Sequence, residues 1–194
     1  MSLMDKEAGC KCLLEVSGLL HSLDIPFFLM QGTALGAYRD NGFVPTERDV
    51  DFGILQENLT PIAVPLVSRL ASLDFQVETF SLPFHKIRTI VAWKYGAKVD
   101  LVGMIRWGTL RFTASPVHPS VLEPYALVHE AELLENYSQI EMFGRVFNIP
   151  YRIETYLERE YGEEWKIPKD DHVSRTRIYD FITKECIPED YLDA

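Results

Sequence analysis

Residues Gly32–Ile54 read GTALGAYRDNGFVPTERDVDFGI, and the order of features within them decides the fold. A glycine-led turn opens a short helical pattern. A loop with Pro45 follows, and Asp49 and Asp51 then stand two apart in the apolar frame of Val50 and Phe52. That frame predicts a strand over Val50–Leu55, and side chains two apart on a strand point to one face. Two carboxylates side by side repel each other. The usual resolutions are a shared proton, a basic partner or a divalent metal.

Upstream, the apolar run Phe27–Met30 reads as a buried strand that delivers the chain to Gln31-Gly32-Thr33. A strand, a glycine turn and a helix in succession expose backbone N–H groups to an anion. Thr33 is placed to cap a helix over Ala34–Arg39, and Asn41-Gly42 to end it. Gly32-Thr33 taken alone is equally compatible with a plain turn. Before this lies a helix over residues 5–23, with Leu13, Val16, Leu20 and Leu23 on one stripe, ended by Asp24 and Pro26.

Downstream, Thr60-Pro61 is expected to open a second long helix with Ile62, Leu66, Leu70 and Leu73 on its apolar face and Pro65 loosening its first turn. From Phe75 to Phe112 the pattern becomes β-like. Strands at 85–95 and Lys98–Ile105, joined by Tyr95-Gly96-Ala97, are expected as antiparallel neighbours, followed by a strand at Leu110–Thr113. Asp100 falls in the middle of KVDLVGMI, where a lone buried carboxylate is costly. Pro116 and Pro119 bracket a loop with His118, and residues 121–137 read as part helix. A hairpin over Gln139–Ile149 turns at Gly144-Arg145, and Pro150 leads a last helix, IETYLEREYG, capped by Gly162.

The 194 residues suit a single domain over 1–194, with a core at about 24–115 and a C-terminal extension at about 116–194. Hydrophobic residues make up 47%, enough for a substantial core, and the net charge of −10 argues against a nucleic-acid partner. Cys10, Cys12 and Cys186 form neither a disulfide framework nor a zinc spacing, which points to a reducing, cytoplasmic setting. No signal-peptide layout and no apolar run of about 20 residues is present, so no membrane span is expected.

Asp49, Asp51 and Asp100, on two or more strands of one sheet, are suited to hold a hard divalent cation, magnesium or manganese, which takes oxygen ligands and substrate phosphates. Gly32 and Thr33 would seat a phosphate, with Arg39, Arg48, Lys86 and Arg88 as candidates to neutralise the remaining charge. Each aspartate could instead pair with a base on a solvated face, and Arg48 beside Asp49 fits that alternative.

The whole pattern resembles the LicD/fukutin family of phosphorylcholine-type transferases, within the nucleotidyltransferase-fold superfamily. That family has G-T-x-L-G-x-x-R, then G-F-I-P and D-x-D. Gly32, Thr33, Leu35, Gly36, Arg39, Gly42, Phe43, Pro45, Asp49, Asp51 and Gly53 match it position by position. KVDLVGM resembles the strand bearing its third aspartate, and FGRVFNIPYRIETYLEREYGEEWKIP its C-terminal segment. The chain departs from the family at Thr46-Glu47-Arg48, where a tryptophan and consecutive acids are common. The resemblance implies an α+β fold, a nucleotidyltransferase-like mixed β-sheet flanked by helices, with a C-terminal hairpin and helix. It also implies magnesium on the three aspartates, with Asp100 helping to deprotonate the acceptor. The activity implied is transfer of a phospho-alcohol, phosphocholine-like, from a CDP-linked, nucleotide-borne donor to a hydroxyl of a glycan or other acceptor. Two other expectations stay open: transfer of NMP from an NTP, and a non-catalytic binding module in which Arg48 pairs with Asp49.

Overall fold

The computed structural model of the chain describes residues 3–82, 86–114 and 126–168, with the backbone alone at Leu82, Lys86, Ala114, Ala126 and Leu127. His85, the loop with His118, residues 121–125, Cys186 and the last twenty residues lie outside the described residues. The first helix, α1 (Lys6–Ser22), begins where Asp5 accepts a hydrogen bond from the Ala8 N–H at 2.8 Å. Its stripe of Leu13, Val16 and Leu20 is fully buried, as the periodicity requires.

The main sheet contains β1 (Phe28–Leu29), β2 (Val50–Leu55), β3 (Gln76–Leu82), β4 (Lys86–Lys94), β5 (Ala97–Trp107), β6 (Leu110–Ala114) and β7 (Ala126–Glu130). Its order is β1-β2-β5-β4-β3, and β6 joins the far end of β5 and pairs in turn with β7. β2 and β5 run parallel, and the remaining pairs are antiparallel. A parallel pair needs a long crossover. Here the crossover runs through α3 (Gln56–Leu59), α4 (Ala63–Ser72) and the β3–β4 hairpin. This is the expected mixed sheet flanked by helices.

Strand alternation sorts the central pair into two faces. Val50, Phe52 and Ile54 lie beside Val99, Leu101 and Gly103 on the core face, where α1 packs across β2 and β5. The five apolar side chains in that set are 0% exposed. Asp51 and Asp100 are register partners on the opposite face. Burying the apolar set removes it from water, and this is the main stabilising term of the sheet.

The second helix departs from expectation at its start. The Thr60 hydroxyl donates to the Gln56 carbonyl at 2.8 Å and lies 3.0 Å from Gln56 Nε2, so it closes the turn of α3 instead of capping a new helix. α4 begins at Ala63, which puts Pro65 in the first turn, where its missing N–H leaves no intrahelical bond unmade. Within 121–137, the described residues divide into β7 and α5 (Ala131–Glu135). The hairpin is β8 (Tyr137–Met142) with β9 (Arg145–Pro150), turning at Phe143-Gly144, one residue earlier than read. The last helix, α6 (Ile153–Tyr161), ends at Gly162, whose φ is 83°.

Two buried features hold these parts in place. The helix α2 (Gln31–Leu35) runs on into a single π-helical segment, Gly36–Asp40, closed by Asn41 in the left-handed region. A Cβ on Gly36 would lie 2.3 Å from the Gly42 carbonyl oxygen and 2.9 Å from the Val44 nitrogen, so the backbone of the following loop lies against its Cα. Arg111, 1% exposed, was not foreseen. It forks onto Glu57 at 2.6 and 2.7 Å, onto Glu135 at 2.7 and 2.9 Å, and onto the Met104 carbonyl at 3.0 Å. One side chain thereby ties α3, β5, β6 and α5 together.

Gly36→Ala is expected to cost about 1–3 kcal/mol, the usual range for overpacking, because the opposing atoms are backbone and cannot swing away. Urea unfolding measures it, and an unchanged midpoint would contradict the contact. The Arg111 hydrogen bond holds the Glu57 carboxyl below its ordinary 4.5. A depressed carboxyl contributes stability above its unfolded pKa and loses it as pH falls through the folded value. The stability gap between the wild type and Glu57→Gln should therefore shrink below pH 4.5, and a gap constant from pH 6 to pH 3 would refute the linkage.

Candidate functional site

Asp51 is fixed by its backbone before its side chain matters. Its N–H donates to Thr33 Oγ1 at 2.9 Å, and its carbonyl accepts from the Met30 N–H at 3.2 Å. This corrects the expected cap: α2 starts at Gln31, and the fully buried Thr33 hydroxyl faces β2, not the N–H groups of its own helix. Gln31 starts that helix at a φ of 49°. Its N–H donates to the Tyr156 hydroxyl of α6 at 3.0 Å. Burial raises the Tyr156 pKa well above its usual value and keeps the hydroxyl protonated.

Asp49 precedes β2 by one residue, so its side chain is set by the preceding turn as well as by strand alternation. The same turn brings in Glu47. Glu47, Asp49 and Asp51 each offer a carboxylate oxygen within 4.8 Å of the others. Glu47 is 6% exposed, and its carboxylate lies over Gly32, where an added Cβ would stand 2.3 Å from Oε2. Its backbone is pinned from both sides, the N–H donating to the Val44 carbonyl at 3.2 Å and the carbonyl accepting from the Met4 N–H at 2.9 Å. An all-carboxylate set at this spacing fits a hard divalent cation of magnesium or manganese type.

Asp100 stands beside Asp51 in the parallel register but is held differently. Lys98, two residues earlier on β5, places Nζ 2.9 Å from Asp100 Oδ2 and 2.8 Å from Asp49 Oδ2. Asp100 Oδ1 is buried without a hydrogen-bond partner among the described residues. Burial pushes the Asp100 carboxyl up to about 6, against the pull of Lys98 and with a smaller push from Asp49. Burial alone would lower the Lys98 pKa, and the two carboxylates outweigh it and raise it. Lys98 is therefore an ammonium held between two carboxylates.

The other bases separate. Arg39 does not face the acids: its guanidinium forks onto Asp40 at 2.8 Å twice and donates to the Trp165 carbonyl at 3.1 Å. That clasp joins the π-helical segment to the turn after α6. Arg48 is exposed, and the ion pair of Asp49 is with Lys98 instead. Arg88 is 4% exposed at the point where the β3–β4 register shifts, and its Nε has no partner among the described residues. Burial pulls its pKa down to about 10. Lys86 opens β4, and its side chain lies outside the described residues.

Glu47 and Lys98 were the site residues missed. Strand alternation would have paired Lys98 with Asp100 on one face. Glu47 carried a weaker signal, an acid just ahead of the aspartate pair.

A parallel strand pair bearing carboxylates on one face, within a mixed sheet, is the arrangement of a nucleotidyltransferase-type domain. Residues 24–106 match the family described as LicD/FKTN/FKRP, nucleotidyltransferase domain. The solution structure of the antibiotic-resistance factor ANT(2'')-Ia shares the fold, with a TM-score of 0.52 at 11% identity over 97% of this chain and 81% of that one. Over residues 24–106 the chain is thus similar to the nucleotidyltransferase domain of the LicD/FKTN/FKRP proteins. Ribitol-5-phosphate transferase FKTN of Mus musculus is 25% identical, with 81% of this chain and 33% of that protein covered. The Homo sapiens protein of the same name is also 25% identical, with 82% and 34% covered. The chain thus spans about a third of the length of the curated relatives it matches.

Gly32→Ala should weaken manganese binding by about tenfold, or ~1.4 kcal/mol, by pushing the Glu47 carboxylate aside. Folding stability should hold within about 1 kcal/mol, because alanine is the better helix former. Titration calorimetry and urea unfolding separate the two effects, and undiminished affinity would remove Glu47 from the ligand group.

Proposed function

We propose that this chain is a transferase that moves a phospho-alcohol from a CDP-linked donor to a hydroxyl of a glycan or related acceptor, using magnesium or manganese. The observation that carries this is the convergence of Glu47, Asp49 and Asp51 within 4.8 Å, with Asp100 beside Asp51 on the adjoining strand. The name shared by the relatives, ribitol-5-phosphate transferase, favours a polyol phosphate over phosphocholine as the group transferred. Phosphoryl chemistry of this kind depends on positioning and electrostatics more than on covalent help from the protein.

In this reading Glu47, Asp49 and Asp51 hold the divalent cation, which when bound supplies positive charge to the donor's phosphate oxygens. Asp100 is the proton acceptor. Its buried Oδ1 is available to an acceptor hydroxyl, and its raised pKa brings its basicity nearer to neutrality than that of an ordinary aspartate. The acceptor oxygen forms a bond to the phosphorus that bears the alcohol, and the bond from that phosphorus to CMP breaks. CMP leaves with the electron pair, and the hydroxyl proton passes to Asp100. Gly32 and Thr33 would contribute backbone N–H groups to a donor phosphate. Arg88, whose buried Nε has no partner among the described residues, stays a candidate to bind a donor phosphate. Arg39 has a structural role through Asp40 and Trp165.

The binding-module alternative had Arg48 neutralising Asp49, whereas the base paired with Asp49 is Lys98. Incubation of the chain with CDP-ribitol, magnesium and a glycan acceptor should release CMP. Asp51→Asn should lower this by roughly a hundredfold or more, with an unchanged melting temperature. Pyrophosphate release from CTP or ATP, with no CMP from CDP-ribitol, would point to nucleotidyl transfer instead. Full activity in Asp51→Asn would sink the assignment.

A further inference from the structure

Phosphoryl-transfer centres with two cations hold them about 3.5–4 Å apart, one for the nucleophile and one for the leaving group. At such a spacing a single carboxylate can ligate both ions, one with each oxygen. Asp49 has that double membership here. It belongs to the Glu47–Asp49–Asp51 group, and it also shares Lys98 with Asp100 at 2.8 and 2.9 Å. We propose that Lys98 fills the second cation position of this centre with its own ammonium, so that the site takes one divalent ion where related chemistry uses two.

The placement follows from the strand. Lys98 and Asp100 are two residues apart on β5 and share a face, and Asp100 is the register partner of Asp51. Lys98 is therefore directed to the acids by the backbone. Its side chain is 18% exposed and contacts both carboxylates at ion-pair distance. A metal ion bound there would need the same Asp49 and Asp100 oxygens at roughly 2.0–2.1 Å, which the ammonium excludes. A lysine ammonium is a compact point charge with three donors and no affinity for an alkoxide as a ligand. It can offset the Asp49–Asp100 repulsion and draw a donor phosphate. It cannot ligate an acceptor oxygen, which leaves acceptor activation to Asp100.

This inference rests on Glu47, Asp49 and Asp51 holding a divalent cation, and the test separates the two claims. Manganese titration of the chain, alone and with CDP, is followed by calorimetry and electron paramagnetic resonance. The wild type should saturate at one manganese per chain with an uncoupled spectrum. Lys98→Met should saturate at two, with the spin–spin broadening of neighbouring ions, and Lys98→Arg should remain at one. Two ions in the wild type would overturn the role of Lys98 while leaving the cation site standing. So would a folded Lys98→Met that still takes one. Absence of any manganese binding in the wild type would overturn the cation site and this proposal together. Should Lys98→Met fold only in manganese, the count measured on that refolded protein decides in the same way.

Discussion

Four carboxylates in one small region are the constraint around which the rest of this molecule is arranged. Glu47, Asp49, Asp51 and Asp100 are drawn together by backbone, not by mutual attraction: the parallel β2–β5 register sets Asp51 beside Asp100, and the turn before β2 adds the other two. Like charges this close repel, and the repulsion grows as water is excluded. The fold answers with rigid attachments behind the acids. Thr33 and Met30 hold the Asp51 backbone, Val44 and Met4 hold that of Glu47, and Tyr156 holds the start of α2. Sites that bind charge depend on such preorganisation, because relaxation of the acids away from each other would remove the binding potential.

The polar clusters differ in how they are neutralised. Arg111 is fully matched by Glu57, Glu135 and a carbonyl, and it serves to tie elements together. In the acid group near β2, Lys98 pairs with Asp49 and Asp100, while Asp100 Oδ1 has no hydrogen-bond partner among the described residues. Buried groups left partly satisfied are costly, so they mark where a ligand is expected to complete the set. Arg88 belongs to the same category, as a nearly buried guanidinium whose Nε has no partner among the described residues.

Much of this was legible in the sequence. The strand Val50–Leu55 appears at its expected bounds, because alternation and β-branched or aromatic residues agree there. The stripe of α1 and the antiparallel β4–β5 pair were equally clear. Local capping chemistry was less readable. Thr33 and Thr60 both look like helix caps in one dimension, yet the Asp51 N–H of β2 claims one hydroxyl and the preceding turn at Gln56 claims the other. The role of Arg39 was hidden for the same reason, since Trp165 lies 126 residues away in the chain. Glu47 reaches the site through a turn with no periodicity to reveal its direction.

The Arg39–Trp165 and Gln31–Tyr156 hydrogen bonds have a further consequence for where the functional unit can be divided. The family match ends at residue 106, but the segment that opens it is completed by groups near residues 156 and 165. A fragment trimmed to the matched region would keep every acid and lose the two attachments that fix the approach to them. The acid-bearing motif and the smallest self-sufficient piece of this protein are therefore different objects. The C-terminal helix acts less as an appendage than as the back wall against which the motif is braced.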